Sequence, residues 1–181
     1  MQKEKDMDIV IVLNDKSRKA IEKRAVIIKA LQERNITIKE IEGLLKEIDE
    51  KKAAIVFEAI EAVTNADAQI ADIEWLNLAA ENILSASDSI KREASRIVGN
   101  LSHKFPNELE KAIEKLLINS KDQGTVVRWS SAYALSKIIV IPHYANSKLF
   151  DTLTGICSHE EESGVKNQYV KALKKASKLR G

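Results

Sequence analysis

Val127-Arg128-Trp129-Ser130-Ser131-Ala132-Tyr133-Ala134-Leu135 is the clearest copy of a pattern that recurs along the chain. Its apolar and small residues recur at spacings of three and four, as on a helix with one buried face. The pattern returns 37 residues earlier in Ile90-Lys91-Arg92-Glu93-Ala94-Ser95-Arg96-Ile97-Val98. It returns again 38 residues later in Val165-Lys166-Asn167-Gln168-Tyr169-Val170-Lys171-Ala172-Leu173. A weaker copy starts 38 residues before Ile90, with Lys52 first and Val56, Phe57, Ala59 and Ile60 at the apolar places. The breakers keep step, since Asp67, Pro106 and Pro142 each fall just after the matching helix. A period near 37 residues with two helices per unit predicts a helical solenoid. Small residues at the fifth and sixth places let the two helices of a hairpin approach closely. The larger apolar residue at the ninth packs against the next unit.

Working outward, helical stripes run through the rest of the chain: Ala20 to Leu31, Ile38 to Ile48, Ile70 to Leu84, Leu109 to Leu117 and Leu149 to Ile156. Thr37 with Glu40 three residues on is a capping-box start. Connections are expected at Ser85–Asp88, Phe105-Pro106-Asn107, Asp122-Gln123-Gly124, Pro142-His143-Tyr144 and Ser158–Gly164. This gives about ten helices with short links, hence antiparallel neighbours. Met7–Leu13 is β-branched enough for a short strand, but a lone strand leaves its backbone groups without partners, so a weak first helix is expected.

Composition agrees. Among 181 residues there are 6 Gly and 2 Pro, with 4% aromatics, too few turn formers for a β-sandwich or barrel. The single cysteine, Cys157, excludes an internal disulfide framework. The charged start Met1–Asp6 does not read as a signal peptide, and no apolar run spans a membrane, so a cytoplasmic protein is expected. The expected architecture is all-α and a single domain over residues 1–181. Residues 1–48 form degenerate or capping helices, and residues 49–181 form the repeats.

The pattern Val-Arg-x-x-Ala-Ala-x-Ala-Leu on the second helix of a hairpin resembles that of HEAT repeats, relatives of armadillo repeats. Val127-Arg128-x-x-Ser131-Ala132-x-Ala134-Leu135 is the best copy. The resemblance covers residues 50–180, and residues 15–50 share it by helix content. It implies a short right-handed superhelix of about five antiparallel hairpins whose second helices line a concave surface that binds macromolecules. It also implies that the second-place cations Lys91, Arg128 and Lys166 tie neighbouring repeats to an acid near the turn. The acid typical of that turn is present as Asp88 and Asp122 and is replaced by Glu162 or a neighbour in the last copy.

On the aligned helices the third and seventh places lie one turn apart and share a face. They read Arg92 and Arg96, then Trp129 and Tyr133, then Asn167 and Lys171. Trp, Tyr and Arg dominate interface energetics, so this stripe is the candidate site of a non-enzymatic scaffold for a protein or peptide. The alternative is that Trp129 and Tyr133 are core while the arginines are solvated. Replacing both aromatics with Ala separates the two by its effect on melting. Residues 1–90 carry 13 Lys/Arg against 18 Asp/Glu and residues 91–181 carry 16 against 9, so a basic second half favours an acidic partner. Nucleic acid is the second candidate, held by the acid-free terminal helix with Lys174, Lys175 and Lys178 on phosphates.

Other chemistry has little support. Cys157 and His159 sit at i and i+2 of a helix, on different faces, and one thiol does not make a zinc site. A buried cysteine and a C-capping histidine are the expected roles. No nucleophile elbow, phosphate loop or dinucleotide fingerprint occurs, so neither metal nor cofactor is expected. Some HEAT-like proteins excise alkylated bases, and Trp129 beside Arg128, with Asp122 or Asp151 near, would be the residues of such an enzyme. The chain is short and aromatic-poor for that task.

Overall fold

A computed structural model describes residues 9–181. Every element in it is a helix: α1 (Ile9–Asn14), α2 (Ala20–Gln32), α3 (Ile38–Leu45), α4 (Glu50–Ala66), α5 (Ile73–Asn82), α6 (Asp88–Leu101), α7 (Glu110–Asn119), α8 (Thr125–Ile139), α9 (Pro142–Ala145), α10 (Leu149–His159) and α11 (Ser163–Ala176). Short 3₁₀ turns follow α4 and α11, at Ala68–Ile70 and Ser177–Leu179. Met7, Asp8 and the charged start Met1–Asp6 lie outside the described residues.

The period is visible in the helix starts. The N-caps of α4, α6, α8 and α11 are Asp49, Ser87, Gly124 and Glu162, spaced by 38, 37 and 38 residues. Lys19, which caps α2, lies 30 residues before Asp49, so the first hairpin is out of step with the rest. α2 ends in a Schellman motif: the Asn35 amide donates to Ala30 at 2.9 Å, the Arg34 amide to Leu31 at 3.2 Å, and Arg34 takes φ +56°. The sequence reading treats Pro142-His143-Tyr144 as a break. Here it is the single turn α9, because Pro at the first helical position sacrifices no hydrogen bond. Tyr144 is buried in it and donates to the Pro106 carbonyl at 2.8 Å.

α1 pairs with α2, α5 with α6, α7 with α8 and α10 with α11. The second helices α2, α4, α6, α8 and α11 pack one on the next along their lengths, while α3, α5 and α7 touch one another more sparsely. A stack with one tight row and one loose row bends toward the tight one, so the second helices form the inner wall. Ala94, Ser131, Ala132, Val98 and Leu135 are all fully buried, as the fifth, sixth and ninth places require. The tightest point is Gly99 on α6, where an added Cβ would lie 2.9 Å from Ala134 Cα and 3.1 Å from the Tyr133 ring.

Two of the three second-place cations, Lys91 and Arg128, tie repeats together, while Lys166 on α11 makes no ion pair among the described residues. Lys91 on α6 reaches Asp122 before α8 at 2.9 Å, and its own Asp88 at 3.4 Å. Arg128 on α8 grips Glu160 before α11 through two nitrogens, at 3.0 and 3.3 Å, and also donates to the Asp122 and Gln123 carbonyls. Glu160, two residues before Glu162, therefore supplies the acid in the last copy. Burial alone would raise its carboxyl, but the Arg128 and backbone hydrogen bonds hold it below the usual range. Asp122 is likewise lowered, chiefly by Lys91.

Candidate binding groove

The inner faces of α2, α4, α6 and α8 enclose an open cleft of about 550 Å³, lined among others by Arg24, Glu58, Glu61, Arg92, Arg96 and Trp129. Arg92, Arg96 and Trp129, three of the six residues of the stripe, come from third and seventh places of neighbouring repeats and share this surface. Tyr133 is half-buried behind Trp129, their rings stacked at 5.7 Å with a 17° interplanar angle. The Arg96 guanidinium lies 6.0 Å and the Lys137 ammonium 4.7 Å from the Tyr133 ring centre. Asn167 and Lys171 stand exposed on α11 and do not line the cleft.

Arg92 and Arg96 are not the solvated cations of the alternative reading. Glu93, the fourth-place residue of α6, is buried between them and accepts from Arg92 Nε at 2.6 Å and from Arg96 Nη1 at 3.3 Å. Glu61 on α4 takes Arg96 Nη2 at 2.8 Å, and Glu58 bridges Arg92 at 3.7 Å and Arg24 at 3.4 Å. A buried carboxylate is tolerated only when paired and hydrogen-bonded, so these glutamates and arginines fix one another. Glu61 is pushed above the ordinary glutamate range by burial, against the pull of Arg96. The wall of the cleft thus alternates in sign, and its arginine charge is compensated.

The two aromatics play different parts. The Tyr133 hydroxyl donates to Asn100 Oδ1 at 2.6 Å, and Asn100 donates in turn to Thr64 Oγ1 at 3.2 Å, linking α8, α6 and α4. With its ring against Gly99, Tyr133 is part of the inter-repeat packing. The Trp129 indole makes no hydrogen bond among the described residues and borders the cleft. Replacing both with Ala therefore confounds binding with folding.

Sequence reasoning missed Glu58, Glu61, Glu93 and Arg24. A signal was there: Glu58 with Arg92 and Glu61 with Arg96 are opposite charges 34 and 35 residues apart, one period less a helical turn.

Elsewhere, Lys174, Lys175 and Lys178 are exposed with no ion pair among the described residues. Arg128, Asp122 and Asp151 border a separate cleft beside His159 and Glu160, so the arrangement of these residues around Trp129 imagined for base excision is not assembled. Cys157 is buried and its thiol is raised by desolvation. His159 Nδ1 contacts the Gly155 carbonyl at 2.9 Å near the end of α10. Among the described residues no three His, Cys, Asp or Glu side chains cluster as a metal site, and no helix is long and apolar enough to cross a membrane.

Among solved structures, the chain is similar to one from the complex of CpcE and CpcF of phycocyanin lyase from Nostoc sp. PCC7120. The TM-score is 0.63, with 19% identity over 91% of this chain and 94% of that one. The molecule is an all-α helical solenoid. At that identity the likeness concerns the fold alone. An engineered protein shares 13% identity over 95% of this chain and 96% of that one, with a TM-score of 0.47, too low to argue from. No family model and no curated protein matches the chain.

Proposed function

We propose that the protein is a non-enzymatic binding scaffold of HEAT-like repeats that holds a segment of a partner protein in the inner cleft. The observation that carries this reading is Trp129, a large ring without a hydrogen bond among the described residues, set in the wall of a cleft of about 550 Å³ among half-exposed arginines. Aromatic and arginine anchors at the centre of a concave surface are where binding energy concentrates. The alternating wall supports a partner segment carrying both signs of charge, because each arginine keeps N–H donors and each glutamate keeps acceptor capacity. The solenoid of similar shape was solved as a complex of two chains, which accords with a protein partner.

Wild-type protein, Trp129→Ala and Tyr133→Phe are compared for the proteins they retain from cell extract. Trp129→Ala loses the retained partner by about thirtyfold or more in affinity, with melting within a few degrees of wild type. Tyr133→Phe keeps the ring and the partner. A Trp129→Ala protein that no longer folds, or that retains the same partner, removes this reading.

Lys174, Lys175 and Lys178, at the end of α11 and in the turn after it and without an ion pair among the described residues, support nucleic acid as a second reading. It requires retention on duplex DNA or RNA at low salt that is lost steeply toward physiological salt.

A further inference from the structure

Charge is segregated more sharply than the two halves of the chain suggest. Residues 53–90 hold seven Asp/Glu and no Lys/Arg, while residues 163–181 hold six Lys/Arg and no Asp/Glu. Most of the acids are already engaged. Glu58 and Glu61 pair with arginines in the cleft, Asp67 and Asp72 cap helices, and Asp88 meets Lys91. Glu74 and Glu81 remain. Both are exposed on α5 without an ion pair among the described residues, and they share its outer face with Asn77. Exposed Ile73 and Leu84 flank them, at 37% and 43%.

α11 carries the opposite pattern. Lys171, Lys174 and Lys175 on α11, and Lys178 in the 3₁₀ turn that follows it, are all exposed and without a carboxylate partner among the described residues. Val170 and Leu179 beside them are 46% and 40% exposed. On α6 and α8 the residues equivalent to Val170, Ser95 and Ala132, are fully buried by the next helix of the row. α11 therefore presents a face that every preceding repeat covers.

We propose that this face is covered by a second copy of the chain, with α11 of one copy lying alongside α5 of the other. Glu74 and Glu81 are seven residues apart on α5, about 10 Å along the helix, and Lys171 and Lys178, also seven apart, span a comparable length from α11 into the 3₁₀ turn after it. Whichever way the helices run, both glutamates meet lysines while Ile73 meets Val170 or Leu179. Two α11 helices facing each other would set lysine against lysine, so the α5–α11 contact is the complementary one. It lies apart from the inner cleft and does not depend on Trp129.

The test is the mass of the full chain in solution by sedimentation, at about 0.02 M and about 0.5 M salt, where screening lengths differ severalfold. The expected result is self-association at low salt that dissolves at high salt. Glu74→Lys with Glu81→Lys, and separately Lys171→Glu with Lys178→Glu, each raise the dissociation constant about a hundredfold or more through like-charge contact. An equimolar mixture of the two charge-reversed proteins associates again, because each then offers what the other lacks, and this also shows that both are folded. A single-chain mass at both salts overturns the proposal, as does association indifferent to reversal or a mixture that stays monomeric. Monomers whose lysines retain duplex DNA assign the α11 face to phosphates and overturn it equally. Trp129→Ala leaves the self-association unchanged.

Discussion

The same substitution at two glycines should change stability in opposite directions. In a helix interior, Ala is better than Gly by about 0.8–1.0 kcal/mol. At Gly155, inside α10, a Cβ meets nothing within 4 Å, so Gly155→Ala should stabilise by about that amount. At Gly99 the added methyl would stand 2.9 Å from Ala134 Cα and 3.1 Å from two carbons of Tyr133, where carbon atoms prefer about 3.5–4.0 Å. α6 must move off α8 by roughly half an ångström, or the Tyr133 ring must turn and strain its 2.6 Å bond to Asn100. Overpacking of this kind costs about 1–3 kcal/mol, and a weakened buried hydrogen bond adds up to about 1 kcal/mol. After the helix-propensity gain, Gly99→Ala should be about 1–2 kcal/mol less stable than wild type. Thermal and urea unfolding of both variants should therefore bracket the parent, with melting temperatures separated by about 4–12 °C at this chain length. If Gly99→Ala rises with Gly155→Ala, the α6–α8 approach is looser than described, and the close-packed inner row fails with it.

Three further outcomes follow from single groups. The Tyr169 hydroxyl is buried without a hydrogen-bond partner among the described residues, and burial drives its pKa far up, so Tyr169→Phe should hold or raise the melting temperature. A clear loss of stability would mean that the hydroxyl is bonded in solution. Arg34 holds a left-handed backbone at φ +56°, which costs an L-residue about 1–2 kcal/mol. Arg34→Gly removes that cost less glycine's own entropy and should gain about 0.5–1 kcal/mol in urea unfolding. Glu160 and Asp122 titrate below their unfolded values, so their contribution is present above about pH 4 and is lost as pH falls through the folded values. Glu61 is shifted the other way, so its protonation partly offsets that loss. Glu160→Gln should therefore lower the melting temperature more at pH 7 than at an acid pH below the folded value, where the carboxyl is protonated. An equal drop at both pH values would separate Glu160's role from its charge.

The spacing of the repeats could be read directly because it is a one-dimensional property. The caps Asp49, Ser87, Gly124 and Glu162 fall at the same 38, 37 and 38 residue steps as the aligned stripes. Positions along one helix also resolved well, and Arg92, Arg96 and Trp129 do share a surface. What could not be read was the register of each helix against its neighbour. That register decides that Glu61 meets Arg96 and that Tyr133 reaches Asn100. A period does not specify tilt or rise between helices, so the arginines looked free and the two aromatics looked alike. Pro142 misled for a different reason: a proline ends one helix and begins another with equal ease.

The most direct measurement is acrylamide quenching of each tryptophan alone, in Trp75→Phe and in Trp129→Phe. Trp75 is 6% exposed within the outer row, while Trp129 borders the inner cleft. The account predicts that Trp129 fluorescence is quenched severalfold more readily than that of Trp75, and that a bound partner protects it. Equal shielding of both rings would place Trp129 in a closed core and contradict the open inner cleft on which the binding reading stands.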